Sequence, residues 1–277
     1  MINTQASIII TTYNWPEALK AVLSSIMAQT ALNFEIIIAD DGSSDETKDL
    51  VQSQLDSFPQ RWVHVRHNDD GIRQARIKNL AIKYVQSKYL IFIDHDVVLH
   101  PEFINDHLLM ATPRCFLQGK RVFLPESLTQ IILDDGNLPE ISPWQKGLEN
   151  RKNAIRCPQI GQFMARPHSF QKTLRGCNLS MHYEDFIAVD GYDEVFDQAW
   201  GREDSDICYR LFHKGVKVKN LWFSGIQYHL HHRVLKKRDR DVLDDELDLI
   251  IHEKRDMAKK GFSSLSDEGG IVSQSHL

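Results

Sequence analysis

The sequence predicts an α/β fold with a mostly parallel central sheet and helices on both faces of that sheet. Along the amino-terminal third of the chain, short β-branched or apolar runs alternate with helical patterns. Polar clusters follow the runs, where the chain turns towards the next helix. Such alternation requires right-handed crossovers, which bring the carboxyl ends of parallel strands to one edge of the sheet. We therefore expect a ligand site at that edge.

Local patterns predict the first two strands and helices. β-branched residues predict a strand over Ser7–Ile10. Pro16 then suits the first turn of a helix, which an apolar stripe at helical spacing continues. A second apolar run predicts a strand over Phe34–Ala39. Ser43 and Glu46 follow with the spacing of a capping box, which predicts the start of the second helix.

The same patterns predict further elements later in the chain. In the order strand, helix, strand they are Trp62–Val65, Ala75–Tyr84 and Tyr89–Ile93. An apolar helix is predicted to begin near Glu203, and Asn220–Ile226 has strand-like composition. The segment Ser263–Leu277 is rich in Ser and Gly, and we expect it to be frayed.

Length and composition are those of a globular protein of one large domain or two modest ones. The 277 residues can bury a sizeable core, and 42% of them are hydrophobic and 26% charged. A net charge of −5 argues against a general nucleic-acid binder, whose surface would be basic. The four cysteines form no C-x-x-C pair, so neither a zinc site nor a disulfide framework is indicated. A signal-peptide pattern and an apolar run of ~20 residues are both missing, which predicts a cytosolic protein.

Two carboxylates directly follow the predicted strand Tyr89–Ile93, in the order Asp94-His95-Asp96. A buried strand does not tolerate bare charges, so both carboxylates should emerge at its carboxyl end. Residues two apart in an extended chain point to the same side, and Asp94 and Asp96 can therefore converge on one object. Oxygen ligands of this kind suit Mg²⁺ or Mn²⁺, especially beside substrate phosphates. An acidic turn without a ligand is the alternative interpretation of so short a motif.

The position of the first glycine limits how a nucleotide could be bound. That glycine is Gly42, so the first strand–helix turn is neither a dinucleotide fingerprint nor a P-loop. A nucleotide would have to be held by side chains and a metal ion.

Three motifs in order resemble the opening of family 2 glycosyltransferases with the GT-A fold: Ser7–Asn14, Ile38–Asp45 and Asp94–Asp96. In that family the first-strand segment and the acidic pair after the second strand hold the uracil and ribose of a UDP-sugar. The resemblance implies a donor site formed by Thr11, Tyr13, Asn14, Asp40, Asp41, Asp94 and His95. The segment Asp70–Arg76 is similar to a further stretch of the nucleotide pocket and adds Arg73 and Arg76, although Ile77 replaces the asparagine that usually follows.

Later motifs resemble the acceptor half of β1,4-galactosyltransferases and bacterial chondroitin-polymerase-type enzymes: Gly176–Met181, Phe186–Glu194 and Trp200–Asp206. The last motif reads Trp-Gly-Gly-Glu-Asp in those enzymes, and Arg202 replaces the second glycine here. The resemblance implies that Asp204 is the general base and that Glu203 binds substrate hydroxyls. It implies a sugar site formed by Asn178, Trp200 and Gly201. Without it, the acidic residues would only favour the first turn of a helix.

The segment Gln227–His232 supplies three imidazoles. The resemblance implies a metal site of Asp96, with Asp94 completing the metal shell or binding ribose, and a histidine. His229 matches the position of that histidine, and His232 is the alternative.

The resemblance implies a metal-dependent, inverting glycosyltransferase that moves a sugar from a UDP-sugar to a glycan or glycolipid, in synthesis of a bacterial surface polysaccharide or lipopolysaccharide. Residues 1–112 would then be the nucleotide-sugar half and 113–232 the acceptor half of one GT-A domain, with 233–277 a charged helical extension. The alternatives are a sugar nucleotidyltransferase, disfavoured by the missing glycine-rich loop, and a non-catalytic nucleotide-sugar-binding module, disfavoured by the intact acidic residues. The charged extension is expected to form a solvated helical face. The alternative is a contact with anionic lipids, and the cytosolic protein would then be peripheral at the inner face of the cell membrane.

Overall fold

The computed structural model describes residues 4–136, 138–197, 201–233 and 242–275. The helices in these ranges are α1 Pro16–Met27, α2 Asp45–Leu55, α3 Gln74–Ile82, α4 Phe103–Met110, α5 Glu126–Asp135, α6 Pro158–Met164, α7 Tyr183–Ala188, α8 Glu203–His213 and α9 Val242–Glu253. The strands are β1 Ala6–Thr12, β2 Phe34–Asp40, β3 Trp62–Arg66, β4 Tyr89–Asp94, β5 Val97–Leu99, β6 Cys115–Gln118, β7 Arg121–Phe123, β8 Leu179–His182, β9 Lys217–Asn220, β10 Gln227–His229 and β11 Gly270–Gln274.

The main sheet brings the ends of several strands to one edge. In the described residues it has eight strands in the order β11-β3-β2-β1-β4-β8-β6-β9. Strands β3, β2, β1 and β4 are parallel, and so are β6 and β9. Strand β8 is antiparallel to both β4 and β6, so β6 and β9 run in the direction of β4. The carboxyl ends of these parallel strands and the start of β8 therefore share one edge. A smaller sheet, β5-β10-β7, carries His229.

Apolar side chains cover both faces of the main sheet, as predicted. Ile8 and Ile10 of β1 pack in one cluster with residues of α1 and α2. Ile9 points to the opposite face and packs in a second cluster with residues of α3. Alternation along a strand requires this division. Among the described residues, every helix is too short or too polar to span a lipid bilayer.

The predicted capping box at the start of α2 is wrong. The N-cap residue is Ser44, and its side chain makes no capping hydrogen bond. Ser43 is instead part of the turn after β2, where its N–H donates to Asp40 Oδ1 at 2.8 Å and its Oγ accepts from the Asn14 N–H at 3.0 Å. Both hydrogen bonds join Ser43 to the turn, and the spacing of Ser43 and Glu46 in the sequence could not reveal them.

Two later expectations also differ from the structure. The strand predicted over Asn220–Ile226 is a turn between β9 and β10, in which Phe223 has a φ of 53° and Gly225 a φ of 58°. The segment expected to be frayed contains β11, which pairs antiparallel with β3. An edge strand is held by backbone hydrogen bonds that any non-proline residue can make, so Ser and Gly content did not prevent it.

Candidate active site

Three side chains that could bind a metal ion converge where β4 and β10 end. Nε2 of His229 and Nε2 of His232 each lie 3.1 Å from Asp96 Oδ2. The pairing of β10 with β5 places His229 opposite Val97, next to Asp96 in the chain. A hydrogen bond of 2.9 Å from the Leu230 N–H to the Asp96 carbonyl holds the two segments together. The structure thus brings both candidate histidines to Asp96.

The hydrogen bonds of the two imidazoles direct Nε2 of each ring towards this carboxylate. Nδ1 of His229 lies 2.8 Å from the Leu230 carbonyl oxygen, and Nδ1 of His232 lies 3.3 Å from that of Arg233. A carbonyl oxygen only accepts, so Nδ1 of each ring carries a proton. Nε2 then contacts Asp96 as an N–H donor, or, in a ring protonated at Nδ1 alone, has a lone pair that a cation bound beside Asp96 can use. Asp96 Oδ1 is buried and makes no hydrogen bond within the described residues. Such a set of donor atoms fits a divalent cation.

Electrostatics keep Asp96 ionised. Burial raises the pKa of Asp96, but the hydrogen bonds from His229 and His232 lower it by more, and the pKa lies well below the usual range. Asp94 behaves differently, since burial and the neighbouring charge of Asp96 raise its pKa to about 8. The charges that act on Asp94 include Lys78 and Asp204 as well as Asp96. Asp94 is therefore close enough to the metal cluster and to a second acidic group for the charges of both to act on it.

That second group is formed by Glu203 and Asp204 in the first turn of α8, as predicted. Nζ of Lys78, on α3, lies 3.2 Å from Glu203 Oε1 and 3.1 Å from Asp204 Oδ1. The Lys78 ammonium also lies 4.8 Å from the ring centroid of Tyr192. Burial raises the pKa of Glu203, and the charge of Asp204 raises it further. The Asp204 side chain is 24% exposed and that of Glu203 8%, so Asp204 is the one that a substrate can reach more easily.

Lys78 was not predicted from the sequence. A lysine within a helical pattern is ordinarily solvated, and the Asp204 side chain is 126 residues away in the chain. In the structure the Lys78 side chain is only 3% exposed. Burial lowers the pKa of Lys78, but the charges of Asp204 and Glu203 raise it by more, so the group stays charged. Its positive charge compensates two carboxylates that would otherwise repel each other.

Gly176→Ala is expected to displace the Asp204 carboxylate without unfolding the protein. The Gly176 N–H donates to Asp204 Oδ2 at 2.8 Å, and a Cβ at this glycine would lie 2.0 Å from Asp204 Oδ1. We expect sugar transfer to fall by at least tenfold, since small misplacements of reacting groups are costly. The thermal midpoint and donor affinity should change little. The measurement is steady-state transfer beside a melting curve, and full activity in this variant would show that the position of Asp204 is unimportant.

Residues predicted to bind the donor surround the ends of β1 and β2. The Thr11 carbonyl accepts from the His95 N–H at 3.0 Å. Tyr13 is 45% exposed, and its hydroxyl donates to Asp69 Oδ2 at 3.1 Å. Asn14 Oδ1 accepts from the Ser44 N–H at 2.9 Å. The exposed face of Tyr13 is thus available to a planar base at this edge.

Asp40 and Asp41 organise the turn after β2. Oδ2 of Asp40 lies 2.9 Å from His64 Nε2, and Asp40 is fully buried. Oδ1 of Asp41 lies 2.7 Å from His67 Nε2, and its Oδ2 accepts from the Arg73 N–H at 3.1 Å. Both carboxylates therefore hold the turn in place, and their contact with the donor stays a prediction.

Arg73 and Arg76 bind the protein's own carboxyl-terminal segment, and their contact with the donor stays a prediction. The Arg73 guanidinium donates to both carboxylate oxygens of Glu268, at 3.1 and 3.0 Å. That of Arg76 donates to the Glu268 carbonyl at 2.7 Å and lies 3.7 Å from Glu194 Oε1. Their side chains are 9% and 4% exposed. Glu268 lies 195 residues from Arg73 and 192 from Arg76, so local motifs could not reveal it as a partner.

The Asn178 side chain is hydrogen-bonded within the protein, and its contact with a sugar stays a prediction. Its side chain is fully buried, with Oδ1 3.1 Å from His107 Nε2. Its Nδ2 donates to the carbonyls of Lys120 and Gly225, at 3.3 and 3.0 Å. Burial lowers the pKa of His107 to about 3, so this imidazole is neutral and its Nε2–H donates to the amide oxygen. All polar atoms of the amide are therefore used inside the protein.

Of the two other residues predicted to bind sugar, Trp200 lies outside the described residues. Gly201 has a φ of 97°, and a Cβ there would meet no atom of the described residues within 4 Å. Arg202 has a φ of 83°, in the left-handed region that favours glycine. This conformation explains why the related motif has a glycine at that position. The Arg202 guanidinium contacts Asp244 of α9.

Comparison with known proteins identifies the family. The sequence model described as glycosyl transferase family 2 matches residues 7–164. The chain belongs to glycosyl transferase family 2. A second model, described as the N-terminal domain of galactosyltransferase, matches residues 161–233 of this family 2 member.

Named relatives of this family 2 protein are enzymes of the same general class. A UDP-Glc:α-D-GlcNAc-diphosphoundecaprenol β-1,3-glucosyltransferase of Escherichia coli is 38% identical over 81% of the chain and 77% of its own length. The chain is 28% identical to a validoxylamine A glucosyltransferase of Streptomyces hygroscopicus and 26% identical to a chondroitin synthase of E. coli. These matches cover 76% and 78% of the chain, which spans only 52% and 33% of those two relatives.

Solved structures of GT-A glycosyltransferases share the fold of this family 2 protein. Residues 1–349 of TarS from S. aureus, in complex with UDP-GlcNAc, superpose with a TM-score of 0.62 at 14% identity. This match covers 90% of the chain and 66% of the TarS chain. A mannosyltransferase of Pyrobaculum calidifontis, in complex with GDP-Man and Mn²⁺, superposes with a TM-score of 0.57 at 15% identity, covering 83% and 57% of the two chains. The predicted GT-A fold is confirmed.

Proposed function

We propose that this protein is a metal-dependent, inverting glycosyltransferase that moves a sugar from a UDP-sugar to a glycan or glycolipid acceptor. The observation that carries the proposal is the pair of clusters on the two sides of Asp94. On one side, Asp96, His229 and His232 offer ligands for a divalent ion. On the other side, Asp204 and Glu203 offer carboxylates for the acceptor. Transfer needs a charge-neutralised leaving group and an activated hydroxyl, and these clusters can supply one each.

Asp96, His229 and His232 would hold Mn²⁺ or Mg²⁺, and this ion supplies positive charge to the departing diphosphate. Asp204 would take the proton of the acceptor hydroxyl as that hydroxyl attacks the anomeric carbon. Inversion in one displacement requires the base on the face opposite the leaving group, so one carboxylate suffices. Lys78 and the Gly176 N–H hold one Asp204 oxygen each and fix its direction. Glu203, which is more buried, would bind substrate hydroxyls.

Two comparisons support the substrates that we propose. The TarS structure contains UDP-GlcNAc, and the E. coli relative that is 38% identical is named for a UDP-Glc donor and a lipid-diphosphate acceptor. In this protein the uracil would lie near Tyr13 and Asp41, where an exposed ring and a nearly buried carboxylate share the edge of the sheet. The glycan product would belong to a bacterial surface polysaccharide or lipopolysaccharide.

A panel of UDP-sugars tests this function. Each donor is incubated with and without Mn²⁺, alone and with glycan or glycolipid acceptors, and UDP release is measured. We expect one UDP-sugar to give release that requires the metal and increases with acceptor, and NMR should show an anomeric configuration opposite to that of the donor. Release that chelator does not reduce would refute the metal role. Consumption of GDP-sugars alone would refute the UDP-sugar donor.

A further inference from the structure

A cluster of cations lies at the active-site edge of the main sheet, apart from the metal ligands. Lys120 follows β6, and Arg175 directly precedes Gly176, whose N–H donates to Asp204. The Gln118 side chain joins the two segments, because its Oε1 accepts from the Arg175 N–H at 2.9 Å. Residues after β6 and before β8 share the edge that carries Asp96. The cluster therefore faces the same side of the protein as the proposed reaction.

Two of the cations line a cavity, and none of the three has an acidic partner among the described residues. Nζ of Lys120 lies 3.4 Å from the ring centroid of Trp222, in the turn after β9. Lys120, Lys152 and Trp222 line a cavity of about 90 Å³. Burial lowers the pKa of Lys120, and the charges of Lys152 and Arg175 lower it further. In the described part of the chain, no carboxylate forms an ion pair with these three cations. Such mutual repulsion would be relieved by a bound anion.

An apolar surface adjoins this cavity. The Cys157 N–H, at the start of α6, donates to the Phe223 carbonyl at 2.8 Å. A Cβ at Gly161 would lie 2.1 Å from the Trp222 carbonyl oxygen, so α6 packs closely on the same turn. On its other side α6 exposes three apolar side chains: Ile160, Phe163 and Met164, at 51%, 79% and 44%. Apolar side chains beside cations suit the boundary between a charged headgroup and its lipid.

We propose that Lys120, Lys152 and Arg175 bind the diphosphate of a lipid-linked acceptor, with the lipid against the exposed side of α6. This inference rests on the proposed function, because it assigns the acceptor of that same site. Arg175 and Gly176 are consecutive, so a sugar attached to this diphosphate would lie between the cations and Asp204. The diphosphate would then set which hydroxyl of the sugar reaches the base.

Titration of the protein with geranyl diphosphate in EDTA tests the cationic site. EDTA removes divalent ions and with them any binding of diphosphate by the metal cluster. We expect saturable binding, competition by inorganic diphosphate, and no binding of geraniol. The double variant Lys152→Gln/Arg175→Gln changes two exposed side chains. It should bind geranyl diphosphate at least about tenfold more weakly than the wild type, since each substitution removes a charge-assisted hydrogen bond to the diphosphate. Lys120→Gln should act in the same direction.

The matched control is Lys88→Gln, which removes one exposed charge before β4, at the opposite edge of the sheet. It should bind geranyl diphosphate like the wild type. Equal binding by the double variant and the wild type, or binding of geraniol as tight as that of geranyl diphosphate, would overturn the inference. Failure of the proposed function is separate, because it would appear as absent UDP-sugar consumption while this titration, which needs neither donor nor metal, still reports on the cations.

Discussion

Asp96→Ala is expected to abolish metal-dependent binding of the UDP-sugar. The carboxylate is the point on which both imidazoles converge, at 3.1 Å each, and no other described carboxylate belongs to this cluster. Loss of a partner outside the ligand shell already weakens metal binding by about 10–100-fold, so loss of the ligand itself should cost more. Without the ion, the diphosphate of the donor would have no counter-charge. Calorimetric titration with Mn²⁺ and then UDP-sugar measures both steps.

Asp56→Ala is the matched control, since it removes an exposed carboxylate at the end of α2 and should leave both titrations unchanged. Undiminished Mn²⁺-dependent turnover in Asp96→Ala would remove this residue from the metal site. The histidines are compared in the same way. His229→Ala and His232→Ala should each weaken Mn²⁺ binding, whereas His231→Ala should not, because His231 lies outside the cluster. An unchanged titration in either of the first two variants would leave the role to the other histidine.

Asp204→Asn is expected to lower transfer by about 10²-fold or more while donor and metal affinity stay near wild type. The amide oxygen can still accept from the Gly176 N–H, and Lys78 keeps Glu203 as a partner. The change therefore removes mainly the proton acceptor. Because only chemistry is affected, kcat should fall with little change in donor binding. Steady-state kinetics beside UDP-sugar calorimetry make the distinction.

Glu203→Gln is the comparison for this variant. Glu203 is more buried, and we expect its replacement to disturb substrate affinity as well as rate. The exposed change Asp56→Asn should affect neither quantity. Near-normal transfer by Asp204→Asn would place the base elsewhere, with Glu203 as the next candidate.

Local sequence patterns predicted the amino-terminal part of the fold because the information there is local. Strands β1 to β4 and helix α1 follow from β-branched runs, an apolar stripe and Pro16, and each is present within a residue or two of its expected bounds. Family membership then supplied the order of the motifs along the chain. The strand β11 was missed because its pairing with β3 uses backbone groups, which leave no pattern in side chains.

Long-range contacts of the predicted site residues could not be predicted from local motifs. Arg73 and Asn178 have side chains that suit ligand binding, but in the structure these side chains are hydrogen-bonded to Glu268 and His107. Lys78 was missed for the same reason. It occupies an ordinary helix position in the sequence and forms its ion pair with Asp204 only because α3 packs near the start of α8. The motifs indicate which segments to consider, and the fold shows which of their side chains are hydrogen-bonded within the protein.

The pairing of β3 with β11 has a consequence for synthesis of the chain. Trp62 and Ser275 are hydrogen-bonded across 213 residues. At ribosomal rates of 5–20 residues per second, the outer edge of β3 stays uncovered for about 10–40 s after it is made. During this time its unpaired backbone groups are open to pairing with another chain. The nascent amino-terminal half therefore exposes one sheet edge to chaperones and to other chains. Arg73 and Arg76, which later bind Glu268, are exposed during the same time.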